Sequence, residues 1–234
     1  MDYELETGVF ISNPISFGKT IMSPEEAKEH IFGLVILNDW SARDIQFSEM
    51  VPLGPFNGKA SATTISPWVV TLDALEGAEI VTEDVLARES MNDVADHLSH
   101  RTTKHTWNIV VEVALKRGQS EPTTVASSNL ADLYWSPAQM LAHQASSGCG
   151  LRTGDLLGTG TISSSRSSKA ATSSLGCLHE TTEAGQKPFL LSSGDTVTWV
   201  KDEDEVIMTG KVIRSDGTII GFGDCSGRLK PALY

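Results

Sequence analysis

The sequence predicts an α+β fold rich in β-structure with a few short helices, and three features carry that expectation. Apolar and polar residues alternate strictly through TWNIVVEVALK (106–116), and a similar run opens the chain at YELETGVFIS (3–12). A period of two places successive side chains on opposite faces of a strand. Ser23-Pro24 and Ser136-Pro137 mark helix starts, because serine caps free N–H groups and proline suits the first helical position. From Leu175 onward the chain carries Gly-Asp and Asp-Gly pairs at 194–195 and 216–217, the turn chemistry of short antiparallel strands.

The elements follow in order. The opening strand is closed by Asn13 and Pro14. A helix starts at Ser23-Pro24-Glu25-Glu26, whose glutamates complement the positive end of the helix dipole. It is expected to run to about His30 and stop near Gly33. LVILND (34–39) reads as a buried strand ending in two polar residues. A short helix over 41–48 leads into an ordered loop rich in Pro and Gly, and TISPWVV (64–70) enters a strand. Residues 83–106 are polar, hold His97, His100 and His105, and carry no clear period. After the alternating strand at 106–116, a helix spans 136–146 and ends at Gly148. GDLLGTGTIS (154–163) turns into a strand, and SSSRSSKAATSS (163–174) is a low-complexity loop. The remainder reads as short strands. No internal repeat is present.

Composition narrows the function classes. The chain has 234 residues, 40% hydrophobic and 21% charged, with a formal net charge of -12. That mixture fits a folded protein with a substantial core. The acidic surface repels nucleic acid and anionic membranes, so neither is expected as a partner. Cys149, Cys177 and Cys225 are odd in number and widely spaced, which suits free thiols in a reducing compartment. No apolar run is long enough for a membrane helix, and MDYELETGVF has no basic leader. A cytoplasmic protein is expected.

Two constellations carry chemistry. In a strand, Glu4 and Glu6 of ELE point to one face, and two close carboxylates tolerate each other best around a cation. Asp39 ends the buried strand and can supply a third carboxylate. Three such groups with water suit Mg²⁺ or Ca²⁺ rather than zinc. A solvated strand face would give the same ELE pattern. The second constellation is NDWSARDIQ (38–46) followed by PLGPFNGK (52–59) and TTISPWVV (63–70). There Arg43, Gln46 and Lys59 surround a loop shaped by Gly and Pro. Cationic side chains can hold a substrate carboxylate or an enolate-like oxygen; an ordinary ion-paired loop would hold the same residues.

These blocks, in this order and spacing, resemble the fumarylacetoacetase branch of the fumarylacetoacetate hydrolase family. The likeness continues through YELE (3–6), HIFG (30–33), LYW (133–135), the GC/LR/GDLL/GTIS series from 148 to 163, and GFG through PAL from 221 to 233. It implies a mixed β-sandwich roll of the family's C-terminal type, as a single domain over 1–234. It implies that Glu4, Glu6 and Asp39 bind the metal, with Lys59 and Thr63 near a second cation site and the oxyanion pocket. It implies that Arg43 and Gln46 polarise the substrate carbonyl, that Thr161 contacts substrate, and that Glu180 orients a catalytic histidine and its water. The implied reaction is hydrolysis of a carbon–carbon bond in a β-diketone, 4-fumarylacetoacetate giving fumarate and acetoacetate in tyrosine and phenylalanine breakdown. Another acylpyruvate hydrolase, an oxaloacetate decarboxylase, or a catalytically impaired truncated relative are the alternatives. A homodimer acting on a small diketo acid is expected.

The sequence departs from the family pattern in places. The family's N-terminal barrel, its fourth metal carboxylate and its general-base histidine have no counterpart in these residues. Met50 stands where the family tends to carry a substrate-binding tyrosine. His30 and His143 read as structural, while His97, His100 and His105 could together bind a transition metal, at spacings that are not diagnostic. His179, taken as a strand neighbour of Glu180, is expected to point away from the pocket.

Overall fold

A computed structural model describes residues 1–81, 94–100, 105–164, 171 and 173–232. Two five-stranded sheets form its centre. The first runs from β1 (Leu5–Ile11) to β2 (Ile31–Asp39), with β3 (Thr63–Ile65) and β4 (Val70–Thr71) both paired to β2. Further strands follow in the chain: β5 (Glu79–Ile80), β6 (Thr106–Trp107), β7 (Ile109–Lys116), β8 (Thr123–Asn129) and β9 (Leu156–Gly158). β5 pairs with β6 as a separate ribbon, and β9 closes the first sheet on the free side of β1. A hairpin of β10 (Phe189–Leu190) and β11 (Thr196–Val197) turns through Gly194-Asp195. The second sheet sets β7 between β8 and the nine-residue β12 (Glu205–Ile213), which also pairs with β13 (Ile219–Gly221) and β14 (Cys225–Arg228). β1 and β2 pack against β7 and β12, giving a sandwich with one continuous apolar core.

β7 shows why alternation reads so clearly. Ile109, Val111, Val113 and Leu115 are buried, and the residues between them are half-exposed. β1 behaves differently: it is buried almost throughout, because β2 and β9 flank it and its polar face is also covered. Asn108 interrupts the predicted strand and separates β6 from β7.

Among the described residues, five short helices decorate the sandwich: α1 (Pro24–Lys28), α2 (Arg43–Glu49), α3 (Leu72–Leu75), α4 (Pro137–Ser146) and α5 (Leu178–Thr181). Ser23 caps α1 by accepting from Glu26 N–H at 3.1 Å. Ser136 and Gln139 form a full capping box on α4. Three expectations need correction. β2 starts at Ile31 rather than Leu34, because Gly33 lies in the strand where a Cβ would sit 2.5 Å from the Val70 carbonyl of β4. β8 comes from the polar run TTVASSN, which has no alternation to mark it as a strand; its pairing to β7 makes it one. Residues 178–181 form the turn α5, not a strand.

Most of the polar stretch at 83–106 and most of the Ser-rich loop at 163–174 lie outside the described residues. Cys149, Cys177 and Cys225 are free thiols. No helix among the described residues is long and apolar enough to cross a membrane.

Candidate metal centre

The centre forms where β1 and β2 run side by side. Glu4 and Glu6 share a face of the strand, and Asp39 stands across from Glu4, whose carbonyl accepts the Asp39 N–H at 3.2 Å. One oxygen from each of the three carboxylates lies within 4.8 Å of the others. Asn38, buried beside them, accepts the Glu4 N–H at 3.1 Å and so fixes the entry to β1. Segment 158–163 runs along the other edge of β1. Its Gly160 N–H donates to Glu6 Oε2 at 3.0 Å, and its Ile162 N–H to the Leu5 carbonyl at 2.7 Å.

Two cations wall the cluster. Lys59 Nζ lies 2.5 Å from Glu4 Oε2 and 2.6 Å from Asp39 Oδ2. Arg43 donates from Nη1 to Glu4 Oε1 at 2.7 Å and to Gln46 Oε1 at 2.8 Å. Lys59 is delivered by a 3-10 turn (Asn57–Lys59) that lies directly on α2. Gly58 allows that approach, since a Cβ there would come within 2.8 Å of the Gln46 backbone. Glu49 draws the loop back by accepting from Asn57 and Gly58 N–H at 2.9 and 3.0 Å.

Asp2 completes the network and was not identified from the sequence. Its side chain is 0% exposed. Its Oδ2 accepts from Arg43 Nε and Nη2, each at 2.8 Å, and from His179 N–H at 3.0 Å; its Oδ1 accepts from Leu178 N–H at 2.9 Å. A lone Asp two residues before ELE has no spacing signal of its own.

Charge decides what the site wants. Four carboxylates (Asp2, Glu4, Glu6, Asp39) face two cationic side chains (Arg43, Lys59), an excess of two negative charges if all ionise. Burial would raise the Glu4 carboxyl, but Lys59 and Arg43 outweigh it and hold Glu4 below its usual range. Glu6 has no such partner. Burial first, then the charges of Glu4 and Asp39, push it up to about 8. Lys59 is raised: burial opposes its charge, yet hydrogen bonds to Asp39 and Glu4 prevail. An all-oxygen donor set with two surplus negative charges fits a hard divalent cation.

The remaining predicted site residues lie around this cluster. Thr63 on β3 is the register partner of Asp39. Thr161 follows Gly160 in the segment beside Glu6. Glu180 is exposed on α5 and accepts from Ser163 Oγ at 2.6 Å and from Cys177 Sγ at 3.2 Å. Cys177 bridges to Glu4, and Leu5 N–H donates to the Gly176 carbonyl at 2.9 Å, so α5 is anchored at the mouth of β1. Met50 caps the end of α2 and is exposed.

The histidines settle elsewhere. His30 is buried, its Nδ1 2.8 Å from the Asn13 carbonyl. His143 is exposed on α4 rather than packed. The possible transition-metal cluster does not form: His100 and His105 stack at 4.3 Å, His100 Nε2 meets Ser136 Oγ at 2.9 Å, and the one group of three potential ligands among the described residues is Glu4, Glu6 and Asp39. His179 sits in a helical turn, not a strand, with its ring between Phe47 (5.2 Å) and Trp199 (6.4 Å).

Comparison with known proteins matches residues 1–226 to the family model "Fumarylacetoacetate (FAA) hydrolase C-terminal". Fumarylacetoacetase of Arabidopsis thaliana is 44% identical over 241 residues, covering 99% of this chain and 52% of that protein. The human fumarylacetoacetase is 42% identical over 234 residues, covering 100% of this chain and 53% of that protein. The chain thus spans about half the length of these relatives. Among solved structures, a fumarylacetoacetate hydrolase from Exiguobacterium antarcticum superposes with a TM-score of 0.57 at 21% identity, covering 99% of this chain and 57% of that one. Fumarylpyruvate hydrolase from Pseudomonas aeruginosa, in complex with Mn²⁺ and pyruvate, superposes at 0.54 and 19% identity, covering 98% of this chain and 65% of that one. At these identities the superpositions speak for the fold alone.

Proposed function

The chain belongs to the fumarylacetoacetate hydrolase C-terminal family, and from that premise we propose that it hydrolyses the carbon–carbon bond of a β-diketo acid, 4-fumarylacetoacetate giving fumarate and acetoacetate. The observation that carries this proposal is the convergence of Glu4, Glu6 and Asp39 oxygens within 4.8 Å, walled by Arg43 and Lys59. Glu4, Glu6 and Asp39 would hold Mg²⁺ or Ca²⁺, with Lys59 and Thr63 beside it; the Mn²⁺ of the Pseudomonas relative supports an ion of this class. Such an ion supplies Lewis acidity to a chelating diketone.

The chain's own groups do the rest. Lys59, between Glu4 and Asp39, places a positive charge where an enolate oxygen develops. Arg43 holds Gln46 through its amide oxygen, which turns the Gln46 NH₂ outward as a donor to a substrate carbonyl. Thr161 lines the same edge and contacts the substrate. Glu180, held by Ser163 and Cys177, keeps an acceptor oxygen at the mouth, where it orients the attacking water or its base.

The test follows loss of diketone absorbance by the purified chain with Mg²⁺, Ca²⁺ or Mn²⁺ added. Turnover that needs the ion and is abolished by Glu6→Gln or Asp39→Asn is expected. Turnover unaffected by either substitution would remove the centre from the reaction. Product analysis separates this reaction from oxaloacetate decarboxylation, which would use the same ion and enolate pocket with less call on a base.

A homodimer in the cytoplasm completes the proposal. Ile45, Phe47, Met50, Val51, Leu53 and Phe56 are exposed on and after α2, an apolar patch of the kind that marks an interface. Three free thiols suit a reducing compartment.

A further inference from the structure

We propose that Asp2 is a positioning residue that locks the Arg43 wall of the centre to the Glu180-bearing turn. The inference rests on the hydrolase function proposed above and adds a residue to it. Asp2 is fully buried, and its backbone is pinned first: Asp2 N–H donates to the Ser41 carbonyl at 2.8 Å, and Ser41 N–H returns to the Asp2 carbonyl at 3.0 Å. That bridge leaves the side chain little choice of direction. Its two oxygens then collect four donors from two distant parts of the chain, Arg43 Nε and Nη2 on one side and the Leu178 and His179 amides on the other. Every one of these groups donates and none accepts, so only a carboxylate satisfies them all.

The consequences run both ways. With Nε and Nη2 committed to Asp2, Arg43 has Nη1 aimed at Glu4 and Gln46. With the first amides of α5 committed to Asp2, Cys177 and Glu180 are held against Ser163 and Glu4. Asp2 touches neither substrate nor ion in this scheme. It acts through Arg43 and Glu180, and sets the distance between the wall and the mouth. Asn at this position replaces one acceptor oxygen by an NH₂ donor, which leaves either Arg43 or the α5 amides facing another donor.

Two thiols report the link independently of catalysis. Cys177 is 3% exposed and adjoins α5, while Cys225 is 1% exposed on β14. Wild type, Asp2→Asn and Asp2→Glu are compared in a Cys149→Ser background by N-ethylmaleimide labelling, with the modified thiol mapped by mass spectrometry. Mn²⁺ binding and turnover of acetopyruvate are measured on the same proteins. In Asp2→Asn, faster labelling of Cys177 with Cys225 unchanged is expected, together with a fall in kcat of about tenfold or more and retained Mn²⁺ binding. Cys177 labelling at the wild-type rate would overturn the link. Faster Cys177 labelling with an unchanged kcat would make Asp2 structural only and overturn its positioning role. Should Asp2→Asn also expose Cys225, Asp2→Glu decides: Cys225 protected there with Cys177 released supports the proposal, and both thiols labelled refutes it. A wild-type chain that turns over no diketo acid sinks the hydrolase function, while the labelling still reads the link.

Discussion

At the scale of single residues, the centre is a competition for charge that Glu6 loses. Glu4 has Arg43 and Lys59, and Asp39 has Lys59, whereas Glu6 is 4% exposed, accepts one backbone N–H, pairs with no cation among the described residues and feels Lys59 only at a distance as the weakest influence on it. Its carboxyl therefore binds a proton up to about pH 8. The sign follows from linkage. A raised Glu pKa stabilises the ion-free fold at low pH, and that contribution is lost as pH rises from the unfolded value through about 8. A divalent cation held by Glu6 would reverse the trend, because it would have to displace the proton. Cation affinity should therefore increase as pH approaches 8, with proton release seen by calorimetry in buffers of different ionisation enthalpy. In Glu6→Gln that proton release should vanish along with most of the affinity. Binding that is flat with pH in the wild type would show that Glu6 is not a ligand.

At the scale of elements, one contact seats the Lys59 turn at the site and another ties two helices of the fold together. Gly58 lets the Lys59 turn rest on α2, and Gly58→Ala would drive a methyl group to 2.8 Å from the Gln46 backbone. Such overpacking costs about 1–3 kcal/mol. Because the turn carries Lys59, melting temperature and turnover should drop together. A variant with normal turnover would mean that the turn relaxes without moving Lys59. The second contact joins α1 to α4. Ser136 caps α4, and its hydroxyl also meets His100, whose Nδ1 lies 3.3 Å from Glu25 of α1. Loss of a cap costs about 1 kcal/mol, so Ser136→Ala should lower the melting temperature measurably without changing cation binding. Burial, then the neighbouring His105, push His100 down to about 4. A depressed His pKa means the fold holds the ring neutral while the unfolded chain protonates it. Stability is thus lost as pH falls from the ordinary histidine value of about 6.5 towards 4. His100→Gln should flatten the acid side of the melting profile; identical slopes in variant and wild type would rule this out.

At the scale of the whole molecule, a chain of net charge -12 exposes several apolar side chains on and after α2. The charge keeps copies apart at long range, and salt screens it within about 10 Å. The patch rewards burial at contact. Light scattering should find a dimer that strengthens with ionic strength, and Leu53→Glu should shift it towards monomer. A stable wild-type monomer at every salt concentration would leave the patch without the occupant proposed for it.

How far the sequence reached depends on whether a feature is local. Alternation in 106–116, the two Ser-Pro caps and the Gly-Asp and Asp-Gly turns each depend on neighbouring residues, and each lies where the sequence placed it except that Asn108 breaks the strand in two. The ELE pair is local too, since strand geometry alone puts Glu4 and Glu6 on one face. The rest needed tertiary contacts. β8 exists because β7 offers it partners, and Gly33 joins β2 because β4 lies against it. His179 faces Trp199 because residues 178–181 coil into a turn whose amides Asp2 gathers. Sequence alone thus determined the β-rich α+β class and the placement of the ELE carboxylates on one strand face, because periodicity and residue chemistry act over a few positions, while the sandwich arrangement was legible only through the family likeness. Only the tertiary structure decided that Asp2 binds Arg43 and that Lys59 stands between Glu4 and Asp39. Those pairs are joined across 41, 55 and 20 positions of chain, a separation that no local pattern spans.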